Sequence, residues 1–422
     1  MTQDLADFYA DPAAIQDPRG WFDAARSQCP VLRERFHGSV MITGHAEVVE
    51  AMGRRDGTLS ACVNVLGPVQ GLPFAVDGGD IAARVEAHRH DMAWSDHLAC
   101  FDGEKHAMHR QLLTDLLTYR RLKANEQFLH ELVDSLLDDL LPLGGCNAAS
   151  AYAHAAATFA ISDLLGIPVE DRWELVELLG VPPSQVDGEA SHRVGTDPLI
   201  FLKDRFDAYL AERQARPRAD LMSELVQSRY RDGSAPPFEQ LSLLARFLFG
   251  AGQDTTSRVI AMAIRALGDD RALQARLRAE PDRIPDFVEE VLRFDTPVKA
   301  VYRLAVEDTE VAGQPIPAGS VLTLGLMAGS NDPRHFADPG RIDIDRPNKR
   351  DHLAFSRGAH GCLGAPLARM EVRVAIERLL ARTSDVRISE AHHGPPGARR
   401  YVYEPTYTFR ALADLHIEYD PA

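Results

Sequence analysis

The sequence predicts a mainly helical α+β fold, with one large helical domain and small β-sheets near both ends of the chain. Apolar residues recur at helical spacing from about residue 128 to about residue 294. Strand-like runs occur before residue 44 and again after residue 298. Neither an internal repeat nor a linker divides the 422 residues, so we expect a single domain over residues 1–422.

Composition excludes several classes of function. Apolar residues make up 45% of the chain and charged residues 26%, a balance typical of a globular protein with a large core. The net charge of −16 argues against binding to nucleic acid or to an anionic membrane. No apolar run approaches the ~20 residues of a membrane span, and the acidic first residues do not resemble a signal peptide. We therefore expect a cytoplasmic protein without a membrane anchor.

The first elements are short. Residues 31–36 and 40–43 flank the turn sequence His37-Gly38-Ser39, which predicts a hairpin. Residues 64–100 are rich in Gly and Asp and show little periodicity, which predicts a long loop or short helices. Loops of this length in a compact protein are usually functional.

Helices follow. Pairs of apolar residues every four positions over residues 128–141 predict a helix, which Pro142 and Gly144 end. An Ala-rich helix is predicted over about 149–166 and a short helix over 174–179, and the polar residues 184–198 predict a mobile connection. Further predicted helices are 199–213, 221–230, 238–267 and 284–294, and predicted strands are 299–306 and 321–326.

The strongest local pattern surrounds one cysteine. The run is Phe355-Ser-Arg-Gly358-Ala-His360-Gly-Cys362-Leu-Gly364, and Pro366 then opens a predicted helix. Glycines on both sides allow the backbone to pack closely around the sulfur. A position just before a helix N-terminus stabilises a thiolate. A lone cysteine is usually a buried structural residue, but five fixed residues at this spacing favour a functional one.

This run resembles the haem-binding motif of the cytochrome P450 superfamily, Phe-x-x-Gly-x-(His/Arg)-x-Cys-x-Gly. The resemblance implies a P450 fold with haem b between helix 247–267 and the Cys362 loop, and Cys362 as the iron ligand. A thiolate ligand pushes electron density toward O–O cleavage. Phe355 would shield the sulfur, Gly364 completes the motif, and His360 would reach a haem propionate. Ser356 departs from the pattern, because a second glycine is often found there.

A second pattern is Glu290-Val-Leu-Arg293 on the predicted helix 284–294. Residues three apart share a helix face, so Glu290 and Arg293 can form an ion pair. Such pairs are common on helix surfaces, but this one precedes the cysteine loop by about 70 residues, as it does in the family. The resemblance assigns the pair a structural role, in which it locks the segment before the cysteine loop.

A third pattern lies in the long helix, where Gly250 and Gly252 precede Asp254-Thr255-Thr256. Without further context it fits a helix kinked at glycine with a threonine bonded back to a carbonyl. By resemblance it forms the oxygen-binding groove, in which Asp254 and Thr255 deliver protons. Residues 247, 251 and 255 share one helix face. Phe247 and Ala251 are therefore expected beside the substrate.

Three basic residues complete the expected haem contacts. His106 and Arg110 lie four apart at a predicted helix start, and Arg303 lies on a predicted strand; each matches a propionate-binding position of the family. The rival interpretation is a metal site, because five histidines are close in sequence: His88, His90, His97, His106 and His109. HxH and HxxH without a carboxylate are weak zinc patterns.

The resemblance covers nearly the whole chain, up to residues 410–417, which resemble the closing strand of the family. It implies a monooxygenase of the soluble bacterial type that inserts one oxygen atom of O2 into an apolar small molecule. Electrons would come from a separate ferredoxin and its reductase. One alternative is a related enzyme that uses peroxide or couples two carbons; the Asp254–Thr255 pair argues against peroxide use and leaves coupling open. A remote alternative is a haem sensor or carrier without turnover, which needs no proton-delivery pair.

Substrate and partner contacts are the least specific predictions. Val298 and Thr408 belong to segments expected to line the pocket, with residues 64–100 and 181–198. Lys299, on a strand edge, is expected to face solvent. Near the cysteine side of the haem the sequence offers a basic patch that would attract an acidic ferredoxin. Its residues are Lys105, Arg110, Arg120, Arg121 and Arg357.

Overall fold

The computed structural model of the protein describes residues 4–65, 67–179 and 199–422. The α-helices in these ranges are α1 (Pro12–Gln16), α2 (Arg19–Gln28), α3 (His45–Gly53), α4 (Ala82–Ala87), α5 (Gly103–Leu116), α6 (Tyr119–Ala124), α7 (Glu126–Leu140), α8 (Ala155–Leu165), α9 (Val169–Leu179), α10 (Lys203–Ala215), α11 (Leu221–Gln227), α12 (Phe238–Asp269), α13 (Arg271–Ala279), α14 (Ile284–Phe294), α15 (Leu326–Ser330), α16 (Ala365–Arg382) and α17 (Glu390–His393). The strands are β1 (Val31–Arg33), β2 (Val40–Ile42), β3 (Leu59–Ser60), β4 (Gly145–Asn147), β5 (Val301–Ala305), β6 (Thr309–Val311), β7 (Gln314–Ile316), β8 (Val321–Leu324), β9 (Thr383–Ile388) and β10 (His416–Pro421).

The long helix α12 organises the helical body. Its 32 residues span about 48 Å. From Val259 to Ile264 every side chain is buried, because α7, α8, α14 and α16 surround this half of the helix. A helix that is apolar on all sides belongs in the centre of a protein. The other helices thus pack around the C-terminal half of α12.

Three small sheets flank the helices in the ranges that the structure describes. The largest has the strand order β1-β2-β8-β5-β3 and combines the N-terminal hairpin with strands from the middle of the chain. A second has the order β4-β10-β9, and β6 pairs with β7 in a hairpin. The mainly helical α+β fold predicted from the sequence is therefore confirmed.

Several boundaries differ from the prediction. Residues 64–100 contain short helices, as expected, including α4. The Ala-rich helix begins with a π-helical segment, Ala148–His154, before α8. The expected strand over residues 410–417 is wrong in extent, because β10 begins only at His416. The residues before it form a loop, closed by the Tyr403–Leu412 bridge, that also pairs Phe409 with Val298. The connection expected over residues 184–198 lies outside the described ranges.

Lys299 does not face solvent, so that expectation is wrong. Its side chain is buried, and its amine donates to the carbonyls of Ile15 (2.8 Å) and Thr406 (2.7 Å). Next to it, the Gln16 side chain pairs with the backbone of Tyr403 through two hydrogen bonds of 2.8 and 2.9 Å. The end of α1 and the 403–412 loop thus cover Lys299 from both sides. None of the helices in the described ranges is long and apolar enough to cross a membrane.

Candidate active site

The cysteine loop runs from Phe355 to Gly364 and ends where α16 begins, as the motif predicts. The Cys362 N–H donates to the Phe355 carbonyl (2.8 Å), which closes the loop. Burial raises the pKa of the Cys362 thiol, while the N–H groups of Gly364 and Ala365 and the charge of Arg110 favour the thiolate. Cys362 is exposed although protein surrounds it, as expected for a residue that lines an internal cleft.

The loop is shaped by close contact with α3. Gly358 has a φ of +69°, and a Cβ there would overlap the carbonyl oxygen of Met52. Ser356, the departure from the family motif, has a φ of 57°, a left-handed conformation that glycine adopts more easily. Only a residue without a side chain fits at position 358, which explains the spacing of the glycines in the motif.

Four basic side chains converge near the sulfur. The rings of His106 and His360 are 4.2 Å apart, Arg110 donates to the Gly361 carbonyl (2.5 Å), and Arg303 is buried. Burial, followed by the charges of Arg110 and Arg303, lowers the pKa of His106 to about 4. Burial, followed by Arg303, His106 and Arg110, likewise lowers the pKa of His360. Burial and the two arginine charges thus disfavour protonation of both imidazoles.

The lack of a carboxylate partner for this basic cluster indicates a site for an anion. Among the described residues, none of the four forms an ion pair with a carboxylate; Arg303 donates to the Asn64 side chain and the Tyr302 carbonyl, both at 2.7 Å. A haem brings two propionates, which match arginine and histidine donors in charge and hydrogen bonding. The donor set therefore fits haem. Asn64, which orients Arg303, was missed by sequence reasoning because 239 residues separate the two.

One face of α12 supplies a second wall. Ala251 is exposed although it lies in mid-helix, and Phe247 and Thr255, one turn to either side, are partly exposed. Phe247 and Leu363, the residue after Cys362, pack on the same apolar cluster. The Thr255 hydroxyl donates to the Ala251 carbonyl (2.9 Å). The three residues that the spacing placed on one face thus border an open space.

Asp254 points into an ion-pair network. Its Oδ1 accepts from Arg258 Nε (3.0 Å) and Nη2 (2.6 Å), and Arg258 Nη1 donates to Glu404 Oε2 (3.0 Å). The Arg258 guanidinium also lies 4.9 Å from the centre of the Phe409 ring. Sequence reasoning missed Arg258 and Glu404, although the spacing from Asp254 to Arg258 is that of a helical ion pair.

Val298 and Thr408, the other predicted substrate contacts, lie on neighbouring segments. Val298 forms a bridge with Phe409, and the Lys299 N–H donates to the Thr408 carbonyl (2.7 Å). Both side chains are partly buried. The structure therefore brings these two residues together.

Glu290 and Arg293 form a fully buried pair. Arg293 Nε donates to Glu290 Oε1 (2.8 Å), and Arg346 Nε donates to the same oxygen (3.0 Å). Arg293 also donates to the carbonyls of Pro339 (3.1 Å) and Arg341 (2.8 Å). The pair thus fastens α14 to the segment before the cysteine loop.

The histidines do not form a metal site. Within the described ranges no group of three His, Cys, Asp or Glu side chains could hold a metal ion. His109 bonds to the Lys105 carbonyl (2.6 Å) and the Tyr230 hydroxyl (3.0 Å), and His88 bonds to the Arg84 carbonyl (3.0 Å).

Sequence reasoning also missed a buried acid on α16, Glu371. Burial raises the pKa of Glu371 to about 8, and Thr256 is its hydrogen-bond partner.

The site combines an exposed cysteine at a helix start, a basic cluster beside it and an exposed face of α12. This combination indicates the class of haem-thiolate proteins. Comparison with known proteins gives the family. The sequence profile described as Cytochrome P450 matches residues 188–385. The putative cytochrome P450 140 of Mycobacterium tuberculosis is 30% identical over 427 residues, covering 98% of this chain and 91% of that protein. The chain belongs to the cytochrome P450 family; it is an oxidoreductase, and its cofactor is haem.

Two further relatives agree. The cytochrome P450 monooxygenase PikC of Streptomyces venezuelae is 33% identical over 334 residues, covering 75% of this chain and 74% of PikC. The solved structure of the Mycobacterium marinum cytochrome P450 CYP150A6, in its substrate-free form, has a TM-score of 0.92 with 43% identity and covers 99% of both chains. The predicted P450 fold is confirmed over almost the entire chain.

Proposed function

We propose that the protein inserts one atom of O2 into an apolar small molecule and reduces the other atom to water, with Cys362 as the iron ligand. The observation that carries this proposal is the position of Cys362, which is exposed within the protein and faced by the N–H groups at the start of α16. When bound, haem supplies the iron that binds and cleaves O2. The protein supplies position, charge and protons.

The haem would be held by the basic cluster. His106, Arg110, Arg303 and His360 would bind the propionates, whose negative charge would offset the two arginine charges and favour protonation of the imidazoles. Phe355 lies with its ring 4.5 Å from the Arg369 guanidinium and would shield the sulfur on that side. A Cβ at position 364 would lie 3.7 Å from the Cys362 sulfur, in van der Waals contact with it. Because Gly364 has no Cβ, it leaves this side of the sulfur uncovered.

Protons would reach the reacting oxygen from α12. Thr255 donates its own proton to the Ala251 carbonyl, so its oxygen is free to accept a second hydrogen bond from a donor in the cleft. Asp254, the next residue back, exchanges protons through its carboxylate. Phe247, Ala251, Val298 and Thr408 would contact the substrate, and their mostly apolar surface suits an apolar molecule.

Replacement of Cys362 by histidine tests the proposal. The reduced wild-type protein with carbon monoxide should show the red-shifted Soret band of a thiolate haem, and Cys362→His should lose both this band and oxygenase activity. Cys29→Ser, at a partly buried cysteine outside the site, is the matched control and should keep both. If Cys362→His retained the band, the assignment of the ligand would be wrong.

We propose that an acidic ferredoxin delivers electrons on the cysteine side. Lys105 and Arg120 are exposed there, Arg357 is partly exposed, and Arg110 is half-buried against the loop. Arg121 donates to the Leu116 carbonyl (2.8 Å) and pairs with Glu224, so part of its charge is already compensated. The exposed cations form a basic patch on an acidic protein, which would steer an acidic partner.

Charge reversal tests this surface. Arg357→Glu and Arg121→Glu should slow ferredoxin-supported reduction and weaken its dependence on salt, and Arg120→Glu should do so without breaking an ion pair. Arg400→Glu, at an exposed arginine near the far end of α12, is the control. Ligand-induced spectral shifts should stay unchanged in all variants. A reduction rate insensitive to both the reversals and ionic strength would exclude this docking face. The cytoplasmic location expected from the sequence stays a prediction.

A further inference from the structure

The Asp254–Arg258–Glu404 network joins the proposed proton donor to the loop beside the substrate. Arg258 is a guanidinium shared by two carboxylates: its Nε and Nη2 bind Asp254 on α12, and its Nη1 binds Glu404. Its side chain is only 12% exposed, so the charge is held in place by protein rather than by water. Removal of either carboxylate would leave this mostly buried guanidinium with half of its compensation.

Glu404 belongs to the loop that carries Thr408 and Phe409. The Glu404 N–H donates to the Ala411 carbonyl (2.9 Å), which fixes its position at the base of the loop. The Phe409 ring lies 4.9 Å from the guanidinium, so the loop holds Arg258 through a carboxylate and an aromatic face together. A ligand that displaces Thr408 or Phe409 would therefore move Arg258.

The contacts also select one oxygen of Asp254. Both Arg258 donors bind Oδ1, and no donor in the described part of the chain binds Oδ2. The neighbouring His154 cannot take the place of Asp254 as a relay, since its Nε2 donates to the Val176 carbonyl (3.1 Å) and its Nδ1 accepts from Gln253 (2.7 Å). Oδ2 is thus the atom left to exchange a proton.

We propose that Arg258 is a positioning residue for proton delivery, which holds Asp254 by Oδ1 and, through Glu404 and Phe409, couples its orientation to occupancy of the substrate pocket. The proposal rests on the proposed role of Asp254. In this step Oδ2 takes up a proton from solvent and releases it toward the Thr255 hydroxyl, which can accept a hydrogen bond. The carboxylate then returns to its starting state, so no further reactant is needed. Arg258 itself does not touch the reacting atoms.

The test compares two arginines of α12. Arg258→Gln removes the network. Arg265→Gln is the matched control, because Arg265 lies two turns further along, is mostly buried, and binds Asp295 and the Tyr403 hydroxyl of the same loop. The substrate for the test is found by screening a library of small molecules against the ferric protein. The probe is the compound that causes the largest spin-state shift of the ferric haem. We measure the fraction of NAD(P)H recovered as product rather than hydrogen peroxide, the solvent isotope effect on product formation, and thermal stability.

Arg258→Gln should lower the coupled fraction at least fivefold and change the solvent isotope effect, and Asp254→Asn should do the same. Arg265→Gln should lower thermal stability to a similar extent but keep coupling within twofold. Arg258→Lys should restore part of the coupling, and Glu404→Gln should give an intermediate loss. If Asp254→Asn uncouples the reaction and Arg258→Gln, Arg258→Lys and Glu404→Gln do not, the positioning role is overturned. If Asp254→Asn itself leaves coupling unchanged, the proposed proton donor is wrong. If Arg258→Gln does not fold, Arg258→Lys and Glu404→Gln decide the question.

Discussion

Replacement of Gly358 by alanine should disturb the cysteine loop through its contact with α3. The backbone there has a φ of +69°, which costs a side-chain-bearing residue about 1–2 kcal/mol. The new Cβ would also overlap the Met52 carbonyl, a backbone atom that cannot turn aside, and such overpacking costs about 1–3 kcal/mol. Alanine stiffens the unfolded chain, which returns about 0.4–1 kcal/mol. The net loss of unfolding free energy is about 1–5 kcal/mol.

Gly57→Ala separates the two contributions. Gly57 has a φ of +83° but no atom within 4 Å of the added Cβ, so it has the backbone strain without the overlap. We expect it to lose about 1 kcal/mol or less. Urea unfolding followed by circular dichroism gives both values, and the Soret band with carbon monoxide reports the loop separately. Gly358→Ala should also reduce that band, because the overlap lies four positions before Cys362. Equal losses of stability in the two variants would refute the described contact between α3 and the loop.

Three further predictions concern single side chains. Burial lowers the pKa of Lys299 from its ordinary value of 10.5 to about 7. Between these two pH values the unfolded state binds one proton more than the folded state. The free energy of unfolding of the wild type should therefore rise with pH in this window, by up to ~1.4 kcal/mol per pH unit. Lys299→Met should lack this rise in urea titrations at pH 7, 8 and 9, and parallel slopes would contradict it. Glu290→Gln should cost about 3–5 kcal/mol, because it leaves two buried arginines without their carboxylate. The exposed Glu280→Gln should cost less than about 1 kcal/mol in the same denaturation assay, and comparable losses would be inconsistent with a buried pair. Thr255→Ala should leave NAD(P)H consumption near normal in a reconstituted system while hydrogen peroxide rises and product falls; unchanged coupling would remove Thr255 from the proton path.

Local patterns allowed much of the site to be predicted. The cysteine loop, the helix after Pro366 and the shared face of Phe247 and Ala251 depend on residues within a few positions of one another, and the sequence contains all of that information. The fold class followed from the same kind of periodicity.

Contacts between distant segments could not be predicted in this way. Lys299 lies on a strand edge by its neighbours in sequence, yet α1 and the 403–412 loop bury it. Arg258 and Glu404 are 146 positions apart, and no local pattern connects them. The expected strand over residues 410–417 failed for the same reason, because the N–H of its first residue, Arg410, donates to the Pro297 carbonyl (2.8 Å) instead.

The hydrogen bonds around Lys299 connect the first turns of the chain to the loop that carries Thr408, a proposed substrate contact. Gln16 and Tyr403 are joined through two hydrogen bonds across 387 positions, and the Lys299 amine joins the same two segments. Removal of α1 would leave that amine with one carbonyl and would free the base of the loop that carries Thr408. If Thr408 contacts the substrate as proposed, forms that lack α1 should bind substrate more weakly, although every proposed contact residue would still be present.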